Sequence, residues 1–178
     1  VELGGRARLI GTNLEGFWAE RLRAFGVEME DGFPDGAAFV ARARALGAMA
    51  TSLDGYGYDE DYVRTVAGAF PTLSVDDLAT FPQSAQVVLN QNIGFDPARY
   101  GEPAGSRLLV GEKYVLLRPE FWSDEAHSAG AEHRIVVSFG SSDPAGMTTP
   151  IVEALLQCGS AELEVVVVVG PGMVDANR

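Results

Sequence analysis

The chain has 178 residues, 47% of them hydrophobic, which is enough for a sizeable core in one large domain or in parts of two. Its 25 acidic and 13 basic residues give a formal charge of −12, and the acids are scattered, so no basic stripe exists to neutralise nucleic-acid phosphates or an anionic membrane. The single cysteine, Cys158, excludes an internal disulfide and fits a reducing compartment, and the longest apolar run, residues 163–170, is far too short to span a bilayer. Neither a nucleic-acid partner nor membrane insertion is expected, and with no signal peptide recognisable the expected location is cytoplasmic.

In chain order, residues 7–11 (ARLIG) read as a short apolar strand, and residues 14–25 carry Leu14, Phe17, Trp18, Leu22 and Phe25 at helical spacing before Gly26. Residues 27–29 suit a second short strand, and residues 35–46 an Ala-rich helix with Phe39, Val40, Ala43 and Leu46 on one side. A strand over 48–53 delivers Asp54 and Tyr56 into a loop, and a helix over 59–70 opens with acids that suit its dipole. Residues 71–75 and 86–89 read as strands ending in Asp76-Asp77 and in Asn90-Gln91-Asn92. Residues 94–105 form a Gly- and Pro-rich loop, residues 107–117 give two apolar stretches around Gly111-Glu112, and 123–132 turn small and polar.

Residues 134–149 (RIVVSFGSSDPAGMTT) combine a β-branched strand, a turn of small residues and a helix opening near 148–150. A helix that follows a strand at once points unpaired N–H groups at whatever occupies the turn, which makes an anion seat one reading and an ordinary Ser and Asp capped connection the other. A helix over 150–158 and a strand over 163–169 follow. Strand and helix alternate along the chain, so the fold class is α/β with a mainly parallel sheet, whose ligands sit beyond the carboxyl ends of the strands. Both ends read as cut, with Val1 entering the approach to a strand and Asn177-Arg178 leaving one, so a fragment of a longer protein is expected.

Among catalytic arrangements, no Cys/His spacing suits a metal and none is expected. The two histidines, His127 and His133, lie in the polar connecting region, and a nucleophile elbow is absent. Asp76 and Asp77 are adjacent and point opposite ways, so capping of the following turn suits them better than paired acid–base work.

Four stretches, SVDDLA at 74–79, VVLNQN at 87–92, GEKYVLLRPEF at 111–121 and VSFGSSDP at 137–144, stand together in an order and spacing that resembles the UDP-2,4-diacetamido-2,4,6-trideoxy-β-L-altropyranose hydrolases of pseudaminic acid biosynthesis and the related spore-coat polysaccharide proteins. The resemblance covers about residues 48–170. It implies a glycosyltransferase-B-like pair of Rossmann-like parallel-sheet domains, here truncated at both ends: an N-terminal domain over 1–118 lacking its first strand, a linker over 119–133, and the start of a nucleotide-binding domain over 134–178.

The activity it implies is hydrolysis of a UDP-sugar, by water attack at the anomeric carbon and without a metal or other cofactor, with a catalytic His upstream of Val1. A UDP-sugar-dependent glycosyltransferase or a non-catalytic nucleotide-sugar binding module are the alternatives. Tyr56 matches a family tyrosine that faces the sugar and is the candidate catalytic residue, with Asp54 beside it; Asn90, Gln91 and Asn92 would line the same substrate site. Gly140, Ser141, Ser142 and Asp143 would take the diphosphate. Three positions depart from the family: Gly140-Ser141 stands where two glycines are usual, Phe81-Pro82-Gln83 where a His is usual after the SVDDLA motif, and Gln86 where an Asp is common. Oligomeric state is left open.

Overall fold

A computed structural model describes residues 5–12, 14–32, 35–101, 105–122, 133–159 and 163–173. His127, both chain ends and most of the expected linker lie outside the described residues. The chain divides into two compact units, Val1–Trp122 and Ser123–Arg178. The architecture is mixed α/β and all strand pairing among the described residues is parallel.

The first unit opens with β1 (Arg8–Gly11), α1 (Gly16–Ala24) and β2 (Glu28–Asp31), and the two strands pair with Arg8 opposite Glu28. Then come α2 (Gly36–Ala45), β3 (Thr51–Asp54), α3 (Glu60–Ala69), β4 (Thr72–Val75), β5 (Val87–Asn90) and β6 (Arg107–Val110), with the four strands ordered β3-β4-β5-β6. Local chemistry starts both inner helices: the Asp35 carboxylate accepts from Ala38 N–H and that of Asp59 from Tyr62 N–H, each at 2.8 Å. At Gly36 a Cβ would sit 3.1 Å from Tyr62 O and from Thr65 Cβ, so the missing side chain lets α2 lie close on α3. Val40, Ala43, Val63, Val66 and Phe70 then bury against Leu53 and Val88 of the sheet and against Tyr100. Gln86 fastens the amino end of this sheet: its Oε1 accepts from Thr72 N–H at 2.7 Å and its Nε2 donates to Ala67 O at 3.0 Å.

The expected alternation needs revision. Strand and helix do not alternate throughout: β4 reaches β5 through irregular residues 76–86, and the expected loop over 94–105 holds a 3-10 turn, Pro97–Tyr100, that buries Tyr100. Of the two apolar stretches around Gly111, the first is β6, and the second follows a 3-10 turn at Glu112–Tyr114 and leaves Leu116 exposed. The aromatic stripe of α1 does not bury either. Ala19 is the buried residue of that helix, Phe17 and Trp18 stand edge to face with ring centroids 5.0 Å apart, and Phe25 is 72% exposed. A pair of four-residue strands is too narrow to cover a stripe that wide.

The second unit holds β7 (Arg134–Ser138), α4 (Thr148–Gln157) and β8 (Glu164–Val168), with β7 and β8 in parallel register from Arg134 opposite Glu164 to Ser138 opposite Val168. Arg134 and Glu164 also form an ion pair, at 2.7 Å from Nη2. Val137 is buried, whereas Val136 is 60% exposed and Val168 and Val169 are about half exposed. None of the described helices is long and apolar enough to cross a membrane.

Glu30 of β2 meets Arg42 of α2 in a two-point contact, at 2.6 Å from Nε and 2.7 Å from Nη2, and also meets Arg8 of β1. These partners, Arg42 first, hold its carboxyl at about 2 against an ordinary value of 4.5. A depressed carboxylate contributes stability above its unfolded pKa that is lost as pH falls through the folded one. Urea denaturation of Glu30→Gln should therefore show a deficit against the parent protein that is full at pH 7 and shrinks between pH 4.5 and about 2; a pH-independent deficit would show that the pair does not act through charge.

Candidate functional site

The carboxyl ends of β3, β4 and β5 gather the polar residues of three separate sequence motifs. Asp54 closes β3, and Gly55 follows with φ 153°, where a Cβ would already touch the Tyr58 ring at 3.4 Å. This turn throws Tyr56 outward, 77% exposed, and its hydroxyl donates to Asp77 Oδ2 at 3.0 Å. That hydrogen bond, with the Asp77 charge behind it, raises the phenol above its usual value, so at neutral pH Tyr56 is a donor and not a base. Asn92 approaches from the other side, its Nδ2 donating to Asp77 O at 3.2 Å and lying 3.5 Å from Oδ1.

Asp76 has a different task. Its Oδ1 accepts from Leu78 N–H at 3.0 Å and from Ala79 N–H at 3.1 Å, its Oδ2 from Gln83 Nε2 at 2.9 Å, and its backbone O from the Tyr100 hydroxyl at 2.9 Å. The turn so formed carries Ala79 at φ 50°, a strained value for a residue with a side chain.

The remaining candidates divide by role. Asn90 is fully buried, donating to the Tyr100 hydroxyl at 3.1 Å and accepting from Asn92 N–H at 3.1 Å, so it builds the site without facing a ligand. Gln91 Oε1 accepts from Leu116 N–H at 2.9 Å and ties the VVLNQN stretch to the KYVLL stretch. Asp54, Tyr56 and Asn92 are the candidates of the first unit left exposed.

Two residues of this site escaped the sequence reading. Tyr100 joins Asn90 to Asp76, and burial pushes its phenol up to about 12. Its signal was Asp96-Pro97, whose aspartate caps the 3-10 turn through Ala98 N–H at 2.9 Å. Gln83 was visible only as a departure from the family pattern.

A small cleft of about 40 Å³ lies among these groups, bounded by Asp54, Tyr56, Ser74, Asp76, Asp77 and Gln83, with Leu78 and Phe81 as apolar walls. Its described lining includes three carboxylates and no basic side chain, a field that rejects phosphate and favours uncharged hydrogen-bond donors.

In the second unit, Gly140 takes φ 74° at the end of the β7 turn, and Ser141 and Ser142 are exposed. Asp143 is buried, and its carboxylate accepts from Met147 N–H and Thr148 N–H, both at 2.8 Å. These amides, that of Thr148 first, hold its carboxyl below the usual range. Two of the amides assigned from sequence to an external anion are thus occupied by the chain's own carboxylate, and Asp143 itself faces the helix. The turn is also covered. Gly172 N–H donates to Ser141 O at 2.9 Å, and a Cβ on Gly170 would overlap Ser141 O and Gly140 O.

Among the described residues no group of three or more His, Cys, Asp or Glu side chains is placed to hold a metal ion. No family model, curated protein or solved structure matches the chain.

Two substitutions test this geometry. Asp76→Ala strands three donors and should lower unfolding stability by about 1.5–3 kcal/mol in denaturant titration, with the tyrosine signals of Tyr56 and Tyr100 shifting together. Gly170→Ala should cost about 1–3 kcal/mol by overpacking the turn, while Gly172→Ala, whose Cβ would meet Ser142 Cβ at 3.0 Å, should cost less; equal costs would refute the close approach at Gly170.

Proposed function

We propose that this chain carries the sugar-facing part of a cytoplasmic nucleotide-sugar hydrolase of glycosyltransferase-B-like fold class. The observation that supports it is the hydrogen-bonded series Tyr56–Asp77–Asn92, which joins three separate motifs at one sheet end. The proposed substrate is a UDP-diacetamido-trideoxy-hexose. Its sugar lies against Asp54, Tyr56 and Asn92, where a neutral ring suits the acidic lining.

In the proposed reaction, water attacks the anomeric carbon and the bond from that carbon to the diphosphate oxygen breaks, with its electron pair leaving on UDP. Tyr56 keeps its phenol proton at neutral pH and, on exchanging its bond to Asp77, serves as a hydrogen-bond donor to the sugar or the leaving oxygen. The proton lost by water passes to a base that Asp76 and Asp143 do not supply, since Asp76 accepts three hydrogen bonds and Asp143 faces α4. That engagement favours one other reading, a nucleotide-sugar binding module without turnover.

Incubating the intact protein with UDP-2,4-diacetamido-2,4,6-trideoxy-β-L-altropyranose in the absence of an acceptor should release UDP, and Tyr56→Phe should slow release about tenfold. Release that requires an acceptor would make the protein a transferase, and binding without release would make it a binding module.

A further inference from the structure

In an Asp-Gly pair a side-chain carboxyl and the next backbone nitrogen can react with little hindrance, since glycine has no Cβ to obstruct ring closure. The chain holds three such pairs, at 31–32, 35–36 and 54–55. Closure joins the glycine nitrogen to the aspartate Cγ, which requires a disengaged amide and carboxyl and rotation of the backbone between them. The fold opposes this at two of the three. Gly32 N–H donates to Gly11 O, and a Cβ on Gly32 would sit 3.0 Å from Gly11 C, so that glycine is held against β1. At the second pair the Asp35 carboxylate is occupied by Ala38 N–H at 2.8 Å, and Gly36 is buried against Tyr62 and Thr65 of α3.

The third pair has neither restraint. Asp54 and Gly55 are both exposed, and among the described residues the Asp54 carboxylate enters no hydrogen bond or ion pair. Gly55 N–H makes no hydrogen bond of ordinary geometry either. The glycines that follow β2 and β6 do: Gly32 donates to Gly11, and Gly111 donates to Asn90 O at 2.9 Å. Gly55 instead opens the irregular residues 55–59 that lead to α3.

We propose that Asp54-Gly55 is a self-modification site at which Asp54 converts to isoaspartate. The Gly55 nitrogen attacks Asp54 Cγ and the N–Cγ bond forms. Its proton and the carboxyl hydroxyl leave as one water, giving a five-membered succinimide. Water then adds to one of the two ring carbonyls. Breaking the bond from N to Cγ restores aspartate; breaking the bond from N to the α-carbonyl carbon leaves the main chain running through Cβ and Cγ. Water is lost once and regained once, so mass and charge are unchanged and no co-reactant is needed. The product inserts one methylene between β3 and Tyr56. This carries the Tyr56 hydroxyl away from Asp77 Oδ2, which it now meets at 3.0 Å, and opens the Tyr56–Asp77–Asn92 series whatever ligand that series serves. The modification therefore silences the candidate site with time.

The test is incubation of the full chain at neutral pH in water enriched in heavy oxygen, once folded and once in concentrated urea. Digestion and electron-transfer fragmentation then locate heavy oxygen and isoaspartate residue by residue, since each passage through the succinimide adds one oxygen from solvent. In the folded chain Asp54 should take up label about 2- to 12-fold faster than Asp31 or Asp35, whose pairs must each first break a hydrogen bond. In urea the three rates should converge. The NMR signals of the Tyr56 ring should change in step with isoaspartate at 54, and stay constant in Asp54→Glu, whose carboxyl would have to close a larger ring. The comparison lies within the parent chain, so it does not depend on how any variant folds. A folded rate at Asp54 no greater than at Asp31 and Asp35, or label without isoaspartate at 54, overturns the site. A Tyr56 signal that is unmoved as isoaspartate accumulates overturns its effect on the series.

Discussion

The constraint on which the first unit turns is the exit from β4. A parallel strand that leaves its sheet without entering a helix must find partners for each polar backbone group on its own. Asp76 provides them. Its N–H goes to Leu89 O at 2.9 Å, its carbonyl receives Tyr100, and its carboxylate closes the turn and holds Gln83. One residue thereby locks β4 to β5, anchors the 3-10 turn and fixes the direction in which Asp77 leaves. Asp77 can then meet Tyr56 and Asn92 only because Asp76 is fully committed.

The second unit uses an aspartate in a related way. Asp143 stands at φ 43° and turns its carboxylate onto the first amides of α4. In both units an acid is consumed in shaping the loop, Asp76 as the capping reading expected and Asp143 in place of the ligand role expected of it, and the exposed polarity falls to neighbours, Tyr56, Asp77 and Asn92 in one case and Ser141 and Ser142 in the other. For a chain of net charge −12 this has a chemical sense: carboxylates tied to backbone amides repel an anionic ligand less than free ones would.

The parts of the fold legible in the sequence were those set locally. The runs VVLN and EVVVV announced parallel strands, and Asp35 and Asp59 stood where helix caps belong. What was not legible depended on distant partners. Tyr100 lies 10 residues from Asn90 and 24 from Asp76, and no local pattern foretells that its hydroxyl joins them. Helical spacing in α1 correctly indicated a helix, but periodicity reports which residues share a face and not whether anything covers it. The same limit applied at the candidate site: position after a strand was readable for Asn90 and Asn92 alike, whereas only the structure separates the buried builder from the exposed neighbour.

The ion pair between Arg134 and Glu164 has a consequence for how β7 and β8 find each other. Four successive valines in β8 make its neighbouring alignments against IVV almost equal in packing, so side-chain shape alone leaves the pairing degenerate. A one-residue slip would exchange the faces of every valine and also pull Glu164 away from the guanidinium. The charged rung at the start of the ladder therefore works as an index mark: it adds little energy, yet it selects one alignment from several and so decides which valines point inward.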